Sequence, residues 1–187
     1  MNALISSLAA VAALSATASP VNAELVARAA EGRAIADQFA TELRTALQAA
    51  MAEGGPLAAI RVCNEDAPRI ARAAAEKSGA EVGRTSLKVR NPANAPDDQQ
   101  RAVLAELEQE LAASAGGAPP ERIHLLEDGS VRYMSAIVTQ PPCLACHGES
   151  LAAPVAEAID ALYPADQARG YRIGELRGAF TITWPAE

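Results

Sequence analysis

Two thiols and an imidazole fall within five consecutive residues of this 187-residue chain, Cys143-Leu144-Ala145-Cys146-His147. Any fold the chain adopts has to carry these three groups on one short turn. Two cysteines separated by two residues can add to the two vinyl groups of one porphyrin, forming thioethers, and the histidine that follows is then placed beneath the iron as proximal ligand. One such motif implies one heme c, attached through Cys143 and Cys146 by a cytochrome c maturation machinery. Other uses of the residues fit less well. A zinc site wants four ligands, and beyond the motif only Cys63 and His124 are left to complete it. A thioredoxin-like pair opens a helix after a strand, whereas this pair follows Pro141-Pro142. A structural disulfide across two residues would close a small, strained ring.

The first charged residue is Glu24. Residues 1–23 are an Ala/Leu/Val stretch diluted by Ser6, Ser7, Ser15 and Ser19, and Val21 and Ala23 supply the small residues of a signal-peptidase site. The stretch lacks the usual basic start, and it is short and Ser-rich for a membrane span. The expectation is a signal peptide over 1–23, cleaved after Ala23, and one mature domain over 24–187 in the periplasm, an oxidising compartment. No later run approaches the roughly 18 apolar residues of a span, so none is expected in the mature chain. A net charge of −7 argues against nucleic acid as a partner and suits steering toward a basic one. Half the residues are hydrophobic, which excludes a disordered chain and a coiled-coil rod.

The pattern predicts an α+β domain with a long N-terminal helix. Ile35, Phe39, Leu43 and Leu47 recur every four residues in a helix over 24–53, ended by Gly54-Gly55-Pro56. Residues 57–63 read as helix or strand, and Asp66-Ala67-Pro68 opens a helix that Gly79 stops. Residues 82–90 alternate as a strand whose basic face would hold Arg84, Lys88 and Arg90. Asp97 can cap a helix with the stripe Val103, Leu104, Leu107 and Leu111, and Asp128-Gly129 is the turn of a hairpin. A helix over 151–162 and a strand over 177–184, with Phe180, Ile182 and Trp184 on one face, complete about four helices around an antiparallel sheet of four or five strands.

The second axial ligand could come from Cys63, His124, Met51, Met134, Lys77 or Lys88. No methionine follows His147, which excludes the His/Met pairing with a downstream Met. His124 reads as an ordinary sheet histidine, Met134 as core filler and Met51 as a residue of a helix end. Cys63 has two readings of equal weight. It is the one thiol left after attachment, which ligation to iron would protect from oxidation, or it is a small buried hydrophobe.

The segments Ala59-Ile60-Arg61-Val62-Cys63-Asn64, Val82-Gly83-Arg84-Thr85-Ser86-Leu87-Lys88, Arg90-Asn91-Pro92, Leu162-Tyr163-Pro164 and Leu176-Arg177-Gly178-Ala179-Phe180 together resemble a bacterial family of periplasmic single-heme cytochromes c. The resemblance covers nearly the whole chain after residue 23. It implies a PAS-like antiparallel sheet flanked by helices and axial ligation by His147 and Cys63. Such domains occur as stand-alone cytochromes and as sensor modules of receptors and kinases. Arg84, Lys88 and Arg90 then read either as anchors for heme propionates or as a solvated strand face.

With two protein ligands on the iron, dioxygen or peroxide chemistry is disfavoured, so an enzyme is not expected. A thiolate stabilises the ferric state and implies a low reduction potential. Two functions follow: a soluble one-electron carrier serving a periplasmic or membrane redox partner, or a redox or diatomic-gas (NO/CO) sensing module that works by displacing the Cys ligand. The absence of an output domain favours the carrier.

Overall fold

The computed structural model describes residues 19–114 and 116–186. Its strands β1 (Glu81–Thr85), β2 (Glu121–Leu125), β3 (Val131–Val138) and β4 (Leu176–Trp184) form one antiparallel sheet in the order β1-β4-β3-β2. The C-terminal strand therefore lies inside the sheet, paired with β3 on one side and β1 on the other. The hairpin of β2 and β3 turns at Asp128-Gly129, where Asp128 Oδ1 accepts the Ser130 N–H at 2.9 Å.

Helices α1 (Pro20–Arg61), α2 (Ala67–Ser78), α3 (Asp98–Ala113), α4 (Leu144–His147) and α5 (Ala153–Leu162) surround this α+β core, the arrangement expected of a PAS-like domain with a long N-terminal helix. Asp97 caps α3 and Gln100 returns the bond to the Asp97 N–H, a complete capping box. One sheet face packs Val131, Tyr133, Ile182 and Trp184 against Ala36 of α1. The other packs Met134, Ala136, Leu176 and Ala179 against Val103, Leu104 and Leu107 of α3. Phe180, Ile182 and Trp184 share the α1 face, as the alternation predicts.

The helix expected over 24–53 begins earlier, and α1 joins it across a kink to a second helical stretch. It starts at Pro20, so the expected cut after Ala23 falls in its first turn, while residues 1–18 of the expected signal peptide lie outside the described residues. As expected, the helix is interrupted at Gly54-Gly55-Pro56: both glycines leave the helical conformation, and a second helical stretch follows directly. Gly55 takes φ 65°, a conformation open to glycine, and helical bonding resumes at once. Residues 57–61 are thus helix, which resolves the helix-or-strand alternative. A single wide π turn, Val62–Asp66, then joins α1 to α2. Pro68 explains it: proline has no N–H to give Asn64, and its ring crowds that carbonyl, so the helix widens and Ala67 N–H reaches back five residues to Val62 O.

The strand expected over 82–90 stops at Thr85. Beyond Thr85↔Ala179 the Ser86 hydroxyl turns onto Arg177 O (2.8 Å) and accepts the Lys88 N–H (3.2 Å), so local bonds replace the ladder. Lys88 and Arg90 consequently do not continue a face with Arg84.

Gly32 fixes the seat of α1 on the sheet. A Cβ there would lie 2.5 Å from Cγ of Tyr133, which is wholly buried and donates its hydroxyl to Glu121 at 2.7 Å. Gly32→Ala is expected to destabilise the fold by about 1–3 kcal/mol through overpacking. A lower urea midpoint checks this; an unchanged midpoint would show that the helix can ride higher on the ring without cost.

Candidate functional site

The motif follows β3 through Thr139 and Gln140. Pro141–Cys143 forms a 3₁₀ turn that leads directly into the single turn of α4, so the five motif residues lie on one short helical stretch. Gly148 ends it, where a Cβ would stand 2.7 Å from Leu144 O. Cys143, Cys146 and Cys63 are all half-buried free thiols.

A distant segment, residues 166–171, holds this turn in place. His147 Nδ1 lies 2.8 Å from Ala168 O. A carbonyl can only accept, so Nδ1 carries the proton and Nε2 keeps its lone pair for a metal. Burial, with the positive charges of Arg177 and Arg90 nearby, holds the imidazole well below its ordinary pKa and therefore neutral. Tyr171 N–H donates to His147 O (2.9 Å), Gly170 N–H donates to Gly148 O (3.0 Å), and the Tyr171 ring stands edge-on to the imidazole at 6.3 Å. Orientation of a metal-binding histidine by a bond to its other nitrogen is the usual outer-shell arrangement.

Arg90 ties the two segments together. Its guanidinium donates to Asp166 Oδ1 (3.0 Å), Cys146 O (2.6 Å) and Ala168 O (3.2 Å), and the Arg90 and Asp166 side chains are 9% and 2% exposed. The same Asp166 accepts from Arg169 Nε at 2.7 Å and the Ala168 N–H at 3.0 Å. Arg90 thus belongs to the frame of the motif and not to a basic strand face.

Cys63 sits on the π turn. Its thiol is close enough to Cys146, Arg84, Arg177 and Tyr163 to act on the charge of each. Cys146 itself packs at the edge of the cluster of Ile60, Val155, Ile159 and Tyr163, and Tyr163 Oη donates to Asn64 Oδ1 at 3.2 Å, which pins the residue beside Cys63. Burial pushes the Cys146 thiol up, with Cys63 adding to the rise and Arg90 opposing it. Cys63 thus lies near Cys146 of the motif, 83 residues further along the chain.

Among the other expected site residues, Arg84 lies inside this region and Lys88 at its exposed edge. Arg84 Cζ lies 5.7 Å from the Phe39 ring centre, whereas exposed Lys88 rests over Tyr171 and lines a shallow cleft with Glu108 of α3. The remaining ligand candidates lie elsewhere. Met134 is sealed in the α3 face, Met51 is exposed on α1, Lys77 bonds Gln38, and His124 stands on β2 opposite Arg132. Among the described residues, no three His, Cys, Asp or Glu side chains cluster tightly enough to hold a bare ion, so the zinc alternative lacks its ligand set. Asp166 escaped the sequence reading, and Tyr163 and Arg177 entered it only as members of the resembling segments; their place in the fold gives all three a role.

The Tll0287-like family model matches residues 13–185. The chain belongs to the Tll0287-like family. Among solved structures it resembles the crystal structure of the cyanobacterial heme-protein Tll0287, with 27% identity and a TM-score of 0.58, over 90% of this chain and 97% of that one. A search of curated proteins gives no match. Within this Tll0287-like chain the match spans α1, the π turn, the motif and the whole sheet, so every element that builds the site lies inside it.

Proposed function

We propose that the protein is an exported, periplasmic mono-heme cytochrome c that carries single electrons at low potential. Its heme is attached through Cys143 and Cys146 by the maturation machinery, with His147 and Cys63 as axial ligands. The observation that carries this reading is a c-type attachment motif on one short helical turn whose His147 is neutral with Nε2 free, with Cys63, from a π turn far upstream, near its Cys146. The donor set fits the group: two thiols at thioether spacing, an imidazole with Nε2 free, a third thiol for the second axial place, and positively charged side chains for the carboxylates of the porphyrin. When bound, the iron supplies one-electron exchange between ferric and ferrous states. The chain's part is to keep His147 neutral and aimed, to bring up a thiolate that favours the ferric state, and to limit water. With both ligands supplied by the protein, no position is left for a substrate, so the reading is of a carrier and not an enzyme. The net charge of −7 favours a redox partner with a basic docking face.

Sensing is the second reading. Cys63 lies on the wide turn that couples α1 to α2, so release of the thiol would free a helix junction to move.

The matured protein separates the readings. Its mass should exceed that of residues 24–187 by one heme, and reduced protein should leave CO unbound. Cys63→Ser should lose the thiolate signature in the ferric EPR spectrum and gain ready CO binding. A variant whose ferric spectrum and EPR match wild type would refute thiolate ligation. Ready CO binding by the reduced wild type would make ligand-switched sensing the better account.

A further inference from the structure

We propose that Arg84 and Arg177 form the anchor for the two propionates of the heme, an inference that rests on the heme reading above. Each guanidinium is half-buried, and among the described residues neither makes an ion pair, whereas Arg90 beside them is paired with Asp166. Burying a guanidinium without a counter-charge is costly, and the like charges of Arg90 and Arg84 add to that cost at Arg177. Arg177 Nε is buried with no hydrogen-bond partner. A bound carboxylate would satisfy this donor and the charge behind it at once.

Both side chains are also held ready. Arg177 lies over Tyr171, its Cζ 5.1 Å from the ring centre, and its Nη1 donates to Ser86 Oγ at 3.3 Å. Arg84 lies over Phe39. These contacts fix the two guanidinium planes and leave donors free. The Tyr171 ring beneath Arg177 stands edge-on to His147, and the Phe39 ring beneath Arg84 packs in one cluster with Val62, the neighbour of Cys63, so the pair borders the motif on both sides. Two forked cations beside a porphyrin site match two carboxylates, which they would bind with paired, charge-assisted hydrogen bonds. Lys88, out over Tyr171, and Arg90, bound to Asp166, are left out of the anchor.

The test is a redox titration of the matured holoprotein at pH 5 to 8, for wild type, Arg84→Gln and Arg177→Gln. Wild type should give a flat midpoint potential, because both propionates stay ionised in both redox states. Each variant should keep its covalent heme and its wild-type EPR signature yet show a potential that falls with rising pH, as a released propionate takes up a proton on reduction. Flat profiles in both variants would overturn the proposal. So would the EPR change of Cys63→Ser appearing in them, since the guanidiniums would then serve the thiolate and not the propionates. Where a variant fails to accumulate, a crystal structure of the wild-type holoprotein decides. Propionate oxygens within hydrogen-bond distance of both guanidiniums support the pair, and propionates directed elsewhere refute it. A wild-type mass lacking heme overturns the underlying reading and the anchor together, an outcome distinct from the others.

Discussion

Asp166→Ala is expected to lower the stability of the protein by about 3–5 kcal/mol, the largest effect of any single polar substitution in the site. The carboxylate is 2% exposed and accepts from Arg90, Arg169 and the Ala168 N–H. Its removal leaves Arg90, itself 9% exposed, as a buried charge with only the Cys146 and Ala168 carbonyls for company. The Ala168 carbonyl also orients His147, so the variant should disturb the ferric spectrum as well as the urea midpoint. Asp166→Asn, which keeps an acceptor oxygen, should recover part of both. A midpoint within 1 kcal/mol of wild type would show that the Arg90 bond is not what holds the motif. The pH dependence has a definite sign. Desolvation raises the Asp166 pKa, but the bonds from Arg90 and Arg169 outweigh it and bring the net value below the usual carboxylate range. A depressed folded-state pKa contributes stability that is present above the unfolded value of about 4 and is lost as pH falls through the lower folded value. In Asp166→Ala, the loss of stability on acidification below about pH 4 should therefore be shallower than in wild type.

Gly178→Ala is expected to cost about 2–4 kcal/mol, combining left-handed backbone strain with overpacking. Gly178 has φ 155°, and a Cβ there would stand 2.3 Å from Thr85 O, an atom of the neighbouring backbone that cannot swing aside. β4 would have to separate from β1 at the point where the pairing ends. Arg177 and Ser86 lie on either side of that contact, so the damage should extend to the site. A fall in thermal midpoint, together with altered pH dependence of the potential, would report both effects. A normal midpoint would mean that the strands separate there at little cost.

The sequence was most legible where one local cause determines one local feature. The Asp97 cap, the Asp128-Gly129 turn, the stop at Gly79 and the alternation of Phe180, Ile182 and Trp184 all appear in the structure because each depends on a few adjacent residues. Legibility failed where a distant partner decides. Residues 82–90 alternate without interruption, yet the ladder stops at Thr85 because Ser86 binds the Arg177 carbonyl, a bond to a strand more than 90 residues away. Arg84, Lys88 and Arg90 therefore separate into three environments. The break at Gly54-Gly55 was legible, because glycine and proline interrupt helices, but the second helical stretch was not, since packing of Ile60 and Val62 beyond the kink into two separate clusters seats it. Within the site, the motif residues were plain from spacing alone. Arg177 and Asp166 were not, since an arginine or aspartate carries no signature until its neighbours are known.

The wide turn at Val62–Asp66 also changes the phase of everything after it. In a regular α-helix, residues five apart point about 140° away from each other. Here the bond from Ala67 N–H to Val62 O stacks those two residues, and both enter one apolar cluster with Phe39, Leu43 and Ile70. The turn thus works as a gearbox between two helices whose apolar stripes would otherwise be out of step. Cys63, one residue along, is set beside the stripe and not within it, which lets the chain keep a continuous hydrophobic seam and still present a thiol toward the motif.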